Sequence, residues 1–175
     1  MNDRATTAAG IFLTHELSPR VQRHFQRLVD ETGPLVEWHL VYNEGNRPYP
    51  STTIPYADPA TVMPRRFGHS NAVGMIEGGY LDVMIIPLVM AVAAPHVWVM
   101  EYDVDFSGSW SDLFCQFRDV DADLLATSLR YRAELPHWGW WPHCQAPPSV
   151  DDSDYVRGFI PMMRLSRSAS STMAR

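Results

Sequence analysis

The stretch Val97-Trp-Val-Met-Glu-Tyr-Asp-Val-Asp-Phe-Ser-Gly108 carries the densest chemistry in the chain: an apolar run leads straight into Glu101, Asp103 and Asp105, then into a turn at Gly108. On an extended strand, residues at i, i+2 and i+4 point to one face, so the spacing predicts three carboxylates converging beyond the strand's carboxyl end. Clustered carboxylates repel unless a cation or a proton relieves them. Oxygen-only ligation suits Mg²⁺ or Mn²⁺ that also grips a diphosphate. A second account stays open, in which these acids only cap the following turn. The Asp-x-Asp spacing alone decides nothing: chance at this composition gives about one such pair. The chain has four, at 103/105, 119/121, 121/123 and 152/154, and only the first follows a buried strand pattern.

The remaining chemistry narrows by elimination. All 14 basic residues are arginine and none is lysine. Schiff-base lysines, P-loop lysines and lysine general bases are therefore excluded. A net charge of -6 with no basic run argues against nucleic acid and anionic membranes as partners. Cys115 and Cys144 form neither a CxxC pair nor a disulfide framework, which fits a reducing, cytoplasmic setting. His137 and His143, six apart and without nearby cysteine, are a weak zinc signal. His24 and His39 read as structural. The segment 83–94, interrupted by Pro87, is too short to span a bilayer, and residues 1–9 lack the apolar stretch of a secretory signal.

These side chains need a scaffold, and the pattern supplies one. Residues 9–14 (AGIFLT) read as a buried strand. Ser18-Pro19 caps a helix with Val21, Phe25, Leu28 and Val29 at helical spacing, Gly33-Pro34 ends it, and residues 35–42 (LVEWHLVY) read as a second buried strand. This is a βαβ unit over 8–42, whose strands are expected to be parallel. Residues 43–79, rich in Pro and Gly, read as a long irregular connection with a short helix near 71–76. A buried helix over 80–94, a third strand over 96–102, a short helix capped by Ser109 or Ser111 and a fourth strand over 123–129 follow. Then come an aromatic and acidic loop (130–155), an apolar piece (158–165) and a frayed tail (166–175). The expected fold is a single α/β domain over 1–175, a Rossmann-like three-layer sandwich with a mostly parallel central sheet.

A strand ending in Glu-x-Asp, a short loop and a Trp-Ser-Asp-Leu-Phe helix, behind an N-terminal βαβ unit and ahead of the strand at 121–129, resembles GT-A-fold nucleotide-sugar glycosyltransferases. The resemblance runs over about residues 8–165. It implies a metal-dependent transfer of a sugar from a nucleotide-diphosphate sugar to a hydroxyl acceptor, with Mn²⁺ or Mg²⁺ bridging the two phosphates. It makes 96–108 the metal-binding segment and 8–42 the nucleotide-binding unit. Asp103 becomes the direct metal ligand, with Asp105 as a second or substitute ligand and Glu101 on the ribose or on the metal's water shell. Thr14 and His15, with Glu16, fall where base or ribose contacts belong. Arg65 and Arg66 are either phosphate contacts or a solvated pair. Asp151, Asp152 and Asp154 are the late candidates for a catalytic base. Trp138, Trp140 and Trp141 either form an acceptor wall, since aromatic faces stack on sugars, or cover the core.

The family usually continues into an acceptor-binding segment, whereas this chain stops soon after Ser166, so one alternative is a truncated, inactive GT-A-like domain that binds nucleotide. Another is a haloacid-dehalogenase-type phosphohydrolase with Asp103 as nucleophile and Thr127 or Ser128 as its second motif. The spacing between them is too short for the cap region such enzymes insert.

Overall fold

The computed structural model describes residues 8–42, 51–52, 82–139, 141–143 and 149–173. The chain is α/β with an open, mixed sheet. Strand β1 (Ala8–Thr14) leads into helix α1 (Pro19–Thr32) and strand β2 (Val36–Tyr42). Ser18 caps α1 by accepting from Val21 N–H, and Pro19 occupies the first turn, where its missing N–H costs nothing. The expected parallel pairing is found, with Ala8 opposite Val36 and Thr14 opposite Tyr42. At the helix end, Thr32 donates to Leu28 O at 2.6 Å and accepts from Trp38 Nε1 at 2.7 Å, which ties α1 to β2.

Within the long connection, Ser51–Thr52 form a short strand β3, antiparallel to β2; the helix expected near 71–76 lies outside the described residues, as do Arg65 and Arg66. Helix α2 (Asp82–Ala91) runs through Pro87 and precedes β4 (His96–Glu101), which is parallel to β1 on the side away from β2. Helix α3 (Trp110–Gln116), capped by Ser109, is followed by β5 (Leu124–Tyr131) and β6 (Val156–Ser166). The strand order is β3-β2-β1-β4-β6-β5. β6 is antiparallel to β4, from His96 opposite Ser166 to Met100 opposite Met162, so the sheet is less parallel than expected. Pro161, which has no N–H to give, falls just outside that ladder.

Consecutive residues Ile11 and Phe12 in β1, and Val97 to Met100 in β4, are all buried, so both faces of the sheet centre are covered. On one face Phe12, Trp98 and Met100 pack with Val21 and Leu28 of α1 and with Trp110 and Phe114 of α3. Residues 167–173, expected as part of a frayed tail, form helix α4 instead. Ser166 caps it by accepting from Ala169 N–H at 2.9 Å, and Arg167 N–H donates to Pro95 O at 2.9 Å, so the segment is held down. Among the described residues no helix is long and apolar enough to cross a membrane.

The chain falls into two compact units, a subdivision the sequence does not announce. The larger comprises the residues up to Leu125 and again from Pro161; the smaller is Ala126–Ile160.

Candidate functional site

β1 has a parallel neighbour on each side, reached through α1 on one side and through the later chain on the other. Strand order therefore reverses between β1 and β4. In open α/β sheets the carboxyl ends at such a point flank a ligand crevice. Here β4 ends at Glu101, opposite Leu13, and β1 ends one position further, at Thr14. Tyr102 N–H then donates to Leu13 O at 2.9 Å, carrying the strand contact one residue further. The Tyr102 hydroxyl stands 3.5 Å from His15 Nε2, and the two rings meet edge to face at 4.7 Å. Nothing but its place inside Glu-Tyr-Asp marked Tyr102 in the sequence. Thr14 lies at the same strand end. Its hydroxyl donates to Glu16 O at 2.6 Å and accepts from Glu16 N–H at 3.1 Å, which turns the chain out of β1.

Glu101 and Asp103 are neighbours in charge as well as in sequence. Burial, and then the negative charge of Asp103, push the Glu101 carboxyl above its ordinary range. Neither has a cationic partner among the described residues. The third acid does not join them. Extended backbone stops at Glu101, and Val104 N–H donates to Glu101 O at 3.1 Å, so a turn breaks the alternation that would have placed i, i+2 and i+4 on one face. Asp105 Oδ1 instead accepts from Arg27 Nη1 at 3.2 Å and from Phe106 N–H at 2.8 Å, with His24 Nδ1 at 3.8 Å. In this position Asp105 fastens α1 to the loop. Among the described residues no group of three His, Cys, Asp or Glu side chains is placed to hold a metal ion.

The fastener is larger than one ion pair. Arg27 also donates to Phe106 O at 3.1 Å, to Gly108 O at 2.8 Å and, through Nε, to Glu31 Oε1 at 2.8 Å. Glu31 Oε2 accepts from Trp110 N–H at 2.8 Å, at the start of α3. Donation from Trp110 and from Arg27 holds the Glu31 carboxyl below its ordinary range. The i,i+4 spacing of Arg27 and Glu31 was the sequence signal for this pair.

No known protein family, curated protein or solved structure matches this chain.

In the smaller unit the late acids are engaged in local structure. Asp151 Oδ1 accepts from Ser153 N–H at 2.9 Å and from its hydroxyl at 2.8 Å, and these bonds lower the Asp151 pKa. Asp152 pairs with Arg132 at 2.7 Å, and Asp154 is exposed. Trp141 is 5% exposed and its indole N–H donates to Leu135 O at 2.7 Å, which packs it into the interior of this unit. Trp138 meets it edge-on at 4.7 Å and lies under the Arg157 guanidinium. Trp140 falls outside the described residues. Thr127, one of the two residues offered for the phosphohydrolase alternative, donates its hydroxyl proton to Phe159 O at 2.7 Å.

Proposed function

We propose that the chain binds a nucleotide-diphosphate sugar together with Mn²⁺ or Mg²⁺ at the carboxyl ends of β1 and β4, in the manner of a GT-A-like three-layer fold, and transfers the sugar to a hydroxyl acceptor. One observation carries this reading: the strand reversal between β1 and β4 has His15 and Tyr102 on one flank and the Glu101/Asp103 pair immediately after it. The carboxylate pair fits a divalent cation. Two mutually repelling oxygen donors without a cationic partner among the described residues suit a hard ion, and Mg²⁺ in particular uses one or two carboxylates and completes its shell with water and substrate phosphates. A bound cation would supply charge neutralisation for the departing diphosphate.

The chain's own residues do the rest. Asp103, exposed at the turn, and Glu101 behind it hold the cation. His15 and Tyr102 offer an aromatic edge and two polar atoms for the base or ribose. In the transfer, the sugar's anomeric carbon leaves the phosphate oxygen and bonds to the acceptor oxygen, whose proton goes to a base. The exposed free thiol of Cys115 favours a reducing compartment, the cytoplasm.

A second reading, a nucleotide-binding domain without turnover, draws on the commitment of Asp151 to Ser153 and of Asp152 to Arg132. Release of nucleoside diphosphate from a panel of donor sugars, with and without Mn²⁺, separates the two. Metal-dependent release supports transfer. Binding without release supports the second reading, and neither binding nor release removes both.

A further inference from the structure

Strand β6 meets β4 from Met162 onward, and its earlier residues form a ribbon with β5 inside the smaller unit. At one end of the ribbon Arg132 N–H donates to Tyr155 O at 2.8 Å. Further along, a Cβ placed on Gly158 would lie 3.2 Å from both Leu129 Cδ2 and Ile160 Cγ2. Tyr131 therefore stands across from Val156 and Leu129 across from Gly158, with Ile160 next on the same face. The alternate residues Tyr155 and Arg157 point the other way, onto the ribbon's own loop. Arg157 lies 5.5 Å over the Trp138 ring, and Arg132 is within 5.8 Å of the Tyr155 and Trp141 ring centres. On the first face Leu129, Tyr131, Val156 and Ile160 are between 40% and 57% exposed. An antiparallel ribbon ordinarily turns apolar residues inward and polar ones to water. Here the outward positions are leucine, tyrosine, valine and isoleucine around a glycine, and none of them carries a charge.

We propose that this face is where two copies of the chain meet, in a weak dimer with a twofold axis. An uncharged face meets its own copy without like-charge contact, as a self-complementary interface requires. The charges beside it are already paired within the chain, Arg130 with Glu134 at 3.8 Å and Arg132 with Asp152 at 2.7 Å, which leaves apolar area as the attraction. The four side chains leave about 300 Å² of apolar surface open on each copy, the size at which a patch marks an interaction site. Two such faces, with their polar rims, make an interface of about 1,000–1,200 Å², at the small end of specific contacts and suited to an exchanging dimer. A net charge of -6 on each copy opposes association, and salt screens that repulsion. The contact is independent of the nucleotide site proposed above.

The test is sedimentation velocity of the full chain over a wide range of concentration, at low and at high salt. A monomer–dimer equilibrium is expected, tighter at high salt. Tyr131→Ser should weaken it by about 10-fold or more, as for a central aromatic in an interface, and should leave Tm unchanged because the side chain is exposed. Phe159→Ser changes an equally exposed side chain, at 58%, on the alternate position of β6 and should leave the dimer as it is. A monomer at every concentration would give the face to some other occupant and overturn the proposal. So would a dimer that salt weakens, or one on which the two variants have the same effect.

Discussion

Arg27 Nη1 lies 3.2 Å from Asp105 Oδ1, an ion pair that joins the middle of α1 to the loop leaving β4. Through Arg27, the same loop is also held at the carbonyls of Phe106 and Gly108. Asp105 therefore organises the loop that follows the carboxylate pair. Arg27→Met should lower Tm and increase protease sensitivity near residues 105–108, while a nucleotide or metal ligand, once bound, restores part of the loss. Equal Tm for variant and parent would show that the fastener is idle.

Glu31 gives the pH dependence of that fastener. Its folded-state pKa is depressed, so its contribution is present above the unfolded carboxylate value and is lost as pH falls through the folded one. Glu31→Gln should thus be less stable than the parent at neutral pH, and the gap should close as the solution is acidified below the ordinary carboxylate range. Urea midpoints across the acid range check this; a gap independent of pH contradicts it.

Glu101 runs the other way. Its folded-state pKa is raised, so between the unfolded and folded values the unfolded chain loses its proton first, and stability falls as pH rises. In metal-free buffer Glu101→Gln should therefore raise Tm at neutral pH and make no difference at acid pH, where both states are protonated. A Tm loss at neutral pH would mean that Glu101 has a stabilising partner.

Trp110 is the buried hub where α1, α3 and the sheet meet, at 0% exposure with its backbone N–H on Glu31. Trp110→Ala should cost about 3–5 kcal/mol by cavity formation and lost burial. Chemical denaturation of the purified variant measures it, and a loss below about 1 kcal/mol would mean the core closes around the gap.

The βαβ unit was legible because each of its signals is local: a serine-proline cap, a helical stripe at Val21, Phe25 and Leu28, and a Gly-Pro stop. β4 was legible as an unbroken apolar run that has to be buried on both faces. The site was only half legible. Alternation along an extended strand correctly brought Glu101 to the strand end, but it assumed that the strand continued to Asp105. The turn at Val104 is local, but the pull of Arg27 on Asp105 is a tertiary contact 78 positions apart in sequence, which no local pattern encodes. The same holds for Trp141, whose indole bond to Leu135 O needs the folded loop to exist. Helix α4 was missed for a different reason: its residues, polar or small apart from Met173, form no apolar stripe, and the helix depends on the Ser166 cap and on Arg167 docking to Pro95.

The central claim is that Glu101 and Asp103 hold a divalent cation with a nucleoside diphosphate beside His15 and Tyr102. The direct measurement is the stability of the intact chain with Mn²⁺ and each of a panel of nucleoside diphosphates, for the parent and for Asp103→Asn. One nucleotide should stabilise the parent only when Mn²⁺ is present, by about 2.7 kcal/mol at 100 times its dissociation constant, and Asp103→Asn should abolish the effect. Stabilisation by no nucleotide, or an equal gain in Asp103→Asn, would contradict the account.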